Sequence, residues 1–316
     1  MTNPSKTVII TGANSGLGYE CAKRIAQTSP EYQIVIAGRS TERIKQAAQS
    51  LAKETGADRF TPVQLNLASL DSVRKFAEQW PSLGLPPLFG LICNAGVQYS
   101  NSIEKSEEGY EATFAVNYLG HFLLTNLLVE HMTQNARIIV LSSITHDDQA
   151  KTPLPKAILK SAEALAHPIP PAGESVSDFV GRAYSTSKLC ILMFAYELER
   201  RLRASGRGDI TVNTFDPGGM LTGMMREWKP SARFMMKMLW PLLRLAPNAS
   251  TPRNSAKVLA EMAISAKYQG ISGKFFSMIG SYRQDAREKQ TSAMSYDKQK
   301  ARELWEGSER LVEVRK

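Results

Sequence analysis

Thr7-Val8-Ile9-Ile10-Thr11-Gly12-Ala13-Asn14-Ser15-Gly16-Leu17-Gly18 is the stretch that decides the fold. A β-branched run (Thr7–Thr11) passes directly into a glycine-rich loop, and a helical pattern follows from Glu20 to Ala26. Glycine is needed where backbone turns sharply or approaches a phosphate closely. The helix start then offers free N–H groups and the positive end of its dipole to a pyrophosphate. A plain strand-to-helix turn would also use glycine. The strand–loop–helix context favours a dinucleotide site.

Outward from this stretch the same rhythm repeats. Short apolar runs at Gln33–Ala37, Thr61–Leu65, Leu88–Cys93, Arg137–Leu141, Ile210–Phe215 and Lys274–Ser277 read as strands. Helical patterns lie between them, among them Thr41–Thr55, Ser69–Trp80 and a long one within Glu107–His131. This alternation predicts an α/β fold: a Rossmann-type, doubly wound parallel sheet of about seven strands, with helices on both faces. No Pro/Gly/Ser linker divides the chain, so residues 1–316 are read as a single domain. Residues 145–182, polar and Pro-rich, are too long for an ordinary connection and are read as a functional insert or mobile flap. Residues 281–316 form a tail in which Asp297–Val312 reads as an amphipathic helix anchored by Leu304, Trp305 and Leu311.

Charge sharpens the picture. The chain carries a net charge of +9. Residues 1–217 hold 21 Lys/Arg and 21 Asp/Glu, whereas residues 218–316 hold 18 and 9. A uniformly basic nucleic-acid coat is excluded, and no nucleic-acid partner is expected. Three cysteines (Cys21, Cys93 and Cys190) cannot make a disulfide framework, which suits a reducing compartment. No secretory pattern precedes Thr7, and no apolar run of about 18 residues occurs. A cytoplasmic location is expected, with peripheral contact to a membrane if the basic segment supplies it.

The end of the second strand discriminates between dinucleotides. An NAD site places an acid there to hold the ribose 2′-hydroxyl. Here Ala37-Gly38-Arg39-Ser40 has none, and a guanidinium can grip a 2′-phosphate. NADP(H) is therefore expected over NAD(H), the alternative being that Arg39 is a solvated loop residue.

Chemistry is expected at Tyr184-Ser185-Thr186-Ser187-Lys188, which opens a helical segment running from Leu189 to Leu202. Tyr and Lys at i and i+4 share a helix face. The ammonium favours the phenolate, the tuning that general acid–base work requires. This spacing alone is common by chance. It is joined by Ser142-Ser143 at the end of the fifth strand, Asn94-Ala95-Gly96 at the end of the fourth, and Asn117 on the preceding helix. These are the strand ends at which open α/β sheets bind ligands.

With these motifs in order the chain resembles the short-chain dehydrogenase/reductase family: TGANSGLG (11–18), CNAG (93–96), Asn117, Ser143, YSTSK (184–188) and PGGMLT (217–222). The resemblance covers about residues 6–277. It implies that Tyr184 is the general acid/base, that Lys188 binds the nicotinamide ribose and lowers the Tyr pKa, that Ser143 polarises the reacting oxygen, and that Asn117 holds a relay water. It also implies cofactor contacts from Gly12, Asn14, Ser15, Gly16, Leu17, Gly18, Arg39, Asn66, Leu67, Asn94, Ala95, Gly96, Tyr184, Lys188, Pro217, Gly218 and Thr222. Asn66 departs from the Asp common in the family. Homo-oligomers pairing through the helix after Tyr184 are also compatible with the resemblance.

A narrower likeness is to light-dependent protochlorophyllide reductases, through the 41-position Ser143–Tyr184 separation, Cys190, LSSIT (141–145) and the tail. AVNYLGHFLLTNLL (115–128) is shared also with retinol-dehydrogenase-like members. Asn94-Ala95-Gly96-Val97-Gln98 departs from the Asn-Ala-Ala-Val-Tyr typical of the photoenzymes. Cys190 is read as a buried small hydrophobe or as a pocket-lining residue. Residues 218–247, basic and Met-rich, have three readings: a lid over a bulky apolar substrate, an amphipathic element on an anionic membrane, or a packed helix with solvated charges. Gln98, Cys190, Met220 and Met224 join Ser143 as candidate substrate residues, and no metal site is expected.

The expected activity is NADP(H)-dependent hydride transfer to or from a bulky apolar carbonyl or alcohol. Light-driven reduction of a tetrapyrrole C=C bond is the alternative, and a non-catalytic dinucleotide sensor would require a broken catalytic set.

Overall fold

The computed structural model describes residues 3–220, 238, 249–278 and 285–313. Parallel strands are β1 (Lys6–Thr11), β2 (Tyr32–Gly38), β3 (Phe60–Gln64), β4 (Leu88–Cys93), β5 (Met132–Leu141), β6 (Thr211–Asp216) and β7 (Phe275–Ser277). They lie in the order 3-2-1-4-5-6-7, and an eighth strand, β8 (Arg287–Lys289), adds antiparallel to β7. Seven strands were expected. The eighth consists of exposed charged residues, so no apolar alternation announces it; it exists through edge pairing.

Helices α1 (Gly16–Thr28), α2 (Thr41–Thr55) and α7 (Pro252–Ile264) cover one face of the sheet. On the other face lie α3 (Leu70–Gln79), α4 (Ala112–His131), α5 (Ala162–Ala166), α6 (Val176–Ala204) and α8 (Lys298–Leu311). Because both faces are covered, strands such as β4 are buried at every residue, which is why they read as unbroken apolar runs. By length and composition α4 could cross a membrane, but 83% of that window is buried inside the fold, as in a core helix.

Local signals explain several boundaries. α2 begins where the Ser40 side chain accepts from Arg43 N–H and ends at Gly56 in the left-handed conformation. α6 starts at Val176, eight residues before Tyr184, because Ser175 caps Asp178 N–H. The 145–182 insert therefore yields its last turns to helix α6. The rest of it is docked: Ile158 N–H donates to Thr186 Oγ1, and Pro155 packs against Gly181, where a Cβ would stand 3.0 Å from the proline Cδ. Ala162 and Ala166 enter the core.

The tail helix is amphipathic, as its pattern predicts. Trp305 stacks on Phe194 at 5.7 Å and meets Phe122 edge-on at 4.9 Å, with the Arg201 guanidinium 4.4 Å above the indole. Tyr118 and Ser308 share a hydroxyl hydrogen bond of 2.7 Å. α8 thus covers the aromatic faces of α4 and α6.

Candidate active site

The strand order reverses between β1 and β4, and the crevice at their C-terminal ends is where such sheets take ligands. Gly12 (φ +68°) and Gly16 (φ +62°) give the loop its left-handed turns. At Gly18 a Cβ would lie 2.6 Å from Asn94 Nδ2, so only glycine lets the loop seat on β4. At Gly16 a Cβ would meet nothing within 4 Å. The open space sits at the α1 N-terminus, whose first turn has no acidic residue. This is a cradle shaped for an anionic group.

Thr11 ties the two motifs together. Its Oγ1 accepts from Asn94 N–H and Ala95 N–H at 2.9 Å each, and its carbonyl accepts from Asn94 Nδ2 at 2.7 Å. The Thr11 hydroxyl also meets Nε2 of the buried His121 at 2.9 Å, and Nδ1 of the same ring donates to Asn117 O at 3.1 Å. Burial pulls the imidazole pKa down to about 4, so the ring is neutral and each nitrogen has one role. His121 escaped the sequence reading; its one signal is the i+4 spacing from Asn117.

A groove of about 450 Å³ beside the loop is lined by Asn14, Ser15, Tyr19, Arg43, Gln46, Ala47 and Ser50. Arg39 is exposed at the end of β2. Arg43, one helical turn further on, brings a second guanidinium that the sequence reading passed over. Asn66 Nδ2 donates to Glu107 and its Oδ1 accepts from Ala68 N–H, so its amide is already engaged. The Leu67 side chain is in the core.

The reaction side gathers Ser143, Tyr184, Lys188 and Asn117. Asn117 lies in a π-helical stretch of α4 (Ala115–Leu119). Its amide holds Val97 N–H at 2.7 Å and Val97 O at 3.0 Å, and donates to Ser187 Oγ. Ser142 donates to Lys188 O and is thereby used structurally. Ser143 is half-buried and close enough to Tyr184 for its hydroxyl to lower the Tyr184 pKa. Lys188 Nζ donates to Leu141 O at 3.0 Å and lies 5.5 Å from the Tyr184 ring centre.

Four ionisable groups are nearly solvent-free here: Tyr184 (7% exposed), Lys188 (4%), Asp216 (3%) and His146 (1%). Burial and the Asp216 charge hold the Tyr184 phenol well above its ordinary pKa, against the nearby Ser143 hydroxyl. A lowered Tyr pKa was expected. The protein alone does the reverse, because burial and Asp216 together outweigh Ser143. Burial also brings Lys188 down to about 8, opposed by Asp216.

At Gly96 a Cβ would lie 3.3 Å from Asn117 Oδ1 and 3.8 Å from Lys188 Nζ. Pro217 and Gly218 (φ +75°) close the far wall, with Ser255 Oγ donating to Pro217 O. Gln98 is half-buried in the loop after β4. Met220 packs against the second core cluster. Cys190 is fully buried in the first cluster, so it packs as a small hydrophobe and does not line the crevice. Thr222 and Met224 lie outside the described residues, as does 218–247 beyond Gly218, Gly219, Met220 and Met238. Among the described residues no group of three or more His, Cys, Asp or Glu could hold a metal ion.

Comparison with known proteins follows the same lines. The family model described as "short chain dehydrogenase" matches residues 6–153. Polyprenol dehydrogenase of Danio rerio is 32% identical, covering 97% of this chain and 86% of that protein. Retinol dehydrogenase 13 of Mus musculus is 32% identical over 98% and 85%. Protochlorophyllide reductase A of Arabidopsis thaliana is 32% identical over 96% and 76%. Among solved structures, an uncharacterized protein from Mycobacterium Paratuberculosis superposes with TM-score 0.70 at 26% identity, covering 98% and 94% of the two chains. A blue fluorescent protein from a metagenomic library in complex with NADPH gives TM-score 0.62 at 25% identity, covering 88% and 98%.

Proposed function

The chain belongs to the short-chain dehydrogenase/reductase family of oxidoreductases, and from that premise we propose that it transfers hydride between NADP(H) and a bulky apolar carbonyl or alcohol. The observation that carries the reading is the convergence of Ser143, Tyr184 and Lys188 beside a crevice whose nucleotide end is open at Gly16. The glycine loop and α1 N-terminus suit a pyrophosphate, and Arg39 with Arg43 suits a 2′-phosphate. An NADPH complex in a structural neighbour and prenol- and retinol-named relatives support the cofactor and the substrate class.

When bound, the nicotinamide supplies or accepts the hydride. Ser143 donates a hydrogen bond to the substrate oxygen and polarises the carbonyl. Tyr184 gives its phenolic proton to that oxygen during reduction and takes one back during oxidation. Its raised pKa keeps the phenol protonated at rest, the state required for proton donation. Lys188 holds the ribose side, and Asn117 positions a water behind it. Pro217 and Gly218 would hold the nicotinamide side of the cofactor.

Reduction of a protochlorophyllide-type C=C bond has the support of one named relative and the long Ser143–Tyr184 separation. Gly96 in place of alanine beside Lys188 disfavours it. An NADPH-consumption screen with retinaldehydes, prenals, steroids, quinones and protochlorophyllide, dark and illuminated, separates the two. Tyr184→Phe should lower kcat by about 10²–10⁴-fold while NADPH still binds. Full activity in that variant overturns the mechanism.

A further inference from the structure

Asp216 is a buried carboxylate that the mechanism above does not use. It ends β6 opposite Ser277, and each of its oxygens has one neutral donor: Gly218 N–H at 3.0 Å on Oδ1 and Ser277 Oγ at 2.9 Å on Oδ2. Neither donor carries charge, so neither neutralises the carboxylate. The buried ammonium of Lys188 has the complementary problem. Its hydrogen bond goes to Leu141 O, a neutral acceptor on the strand next to β6, where Leu141 pairs with Phe215, the residue before Asp216. Two opposite charges thus sit at adjacent strand ends, and among the described residues each is hydrogen-bonded by neutral groups on its own side. A buried charge without an opposite partner is costly enough to be lost by protonation or deprotonation.

We propose that Asp216 is a positioning residue of the reaction centre: its carboxylate is the counter-charge that keeps Lys188 an ammonium, and its Oδ1 sets the Pro217-Gly218 turn beside it. The neighbouring groups fit this assignment. From the 3-10 turn after β5, His146 is held neutral, donating Nδ1–H to Ser143 O at 2.6 Å and meeting Ser292 N–H through Nε2 at 3.4 Å. From α4, His121 faces Lys188 and is also neutral. From α6, Tyr184 is uncharged at rest. Among these neighbours Asp216 and Lys188 are left as the pair of opposite sign, and the same carboxylate raises the Tyr184 pKa, which holds the phenol protonated for donation.

The consequence for turnover rests on the oxidoreductase reading, but the charge pairing does not, so the two fail separately. Lys188 is titrated by NMR in protein carrying 13C-labelled lysine, its signal assigned by its absence from K188R. In D216N, which keeps hydrogen-bonding atoms and removes the charge, Lys188 should titrate about one pH unit or more below wild type. S277A keeps the charge and should leave the Lys188 titration where it is. An unshifted Lys188 in D216N overturns the proposal. Should D216N fail to fold, the carboxyl 13C signal of Asp216 in the wild-type protein decides: an ionised group at neutral pH supports the pairing, and a protonated one overturns it. In a turnover assay D216N should lose activity on the basic side at lower pH than wild type, because removing a negative charge lowers the Lys188 and Tyr184 pKa values together. A purely structural role for Asp216 would move stability and leave these titrations in place.

Discussion

The nucleotide end and the reaction end of the crevice lie along one sheet edge, yet they are made of different chemistry. At the nucleotide end Thr11, Asn94 and Ala95 are joined by hydrogen bonds between neutral groups, each pairing a backbone group with a side chain, and glycines remove the side chains that would prevent the approach. At the reaction end Tyr184, Lys188, Asp216 and His146 are all ionisable and all buried. The first end holds its shape through groups that do not themselves titrate. At the second, burial sets the protonation states first, and the Asp216 charge then acts on Tyr184, Lys188 and His146.

Three changes probe this contrast. The largest effect is expected at the nucleotide end: Arg39→Ala should weaken NADPH binding by about 10–100-fold, the cost of a lost charge-assisted contact, with little change in NADH affinity. Fluorescence titration with both cofactors reads this, and an equal loss for both would assign Arg39 to a general rather than a 2′-phosphate contact.

The link between the ends gives the next effect. His121 joins Thr11 to Asn117 as a neutral ring whose pKa is depressed to about 4. Below the unfolded value near 6.5 the unfolded chain binds a proton that the folded chain refuses. Stability should therefore fall as pH drops from about 6.5 towards about 4, by at most about 3 kcal/mol from this group. Urea unfolding at pH 7 and pH 5 should show a smaller acid-side loss in His121→Gln than in wild type.

The smallest effect lies at the reaction end. Gly96→Ala places a methyl 3.3 Å from Asn117 Oδ1, which must give by a few tenths of an ångström. Less than about a tenfold change in kcat/KM is expected, with NADPH affinity held. A total loss would mean that this end tolerates no more crowding than the glycine loop does.

What the sequence revealed follows from the same physics. The strands were legible because a sheet covered on both faces needs unbroken apolar runs, and α2 was legible to the residue because Ser40 and Gly56 punctuate it. The start of α6 was not, since Ser175 and Asp178 are polar residues inside a polar insert and reveal a cap only when the backbone is seen. β8 has no pattern of its own. At the site, Tyr184, Lys188 and Ser143 were readable because spacing brings a helix face to a strand end. Asp216, His146 and His121 were not, because their importance comes from burial next to one another across distant segments, and single-sequence spacing carries no record of burial.

The placement of α8 has a consequence for the order in which the chain becomes a protein. The aromatic cluster of Tyr118, Phe122 and Phe194 is completed by Trp305 and Ser308, residues made more than a hundred positions after the youngest of those three. During synthesis the sheet and its nucleotide loop can assemble from earlier residues, while this greasy seam stays open until α8 has emerged. A nascent or truncated chain lacking α8 would carry that seam uncovered, a surface of the kind chaperones bind and proteases find. Helix α8 therefore works as a late seal over this aromatic seam.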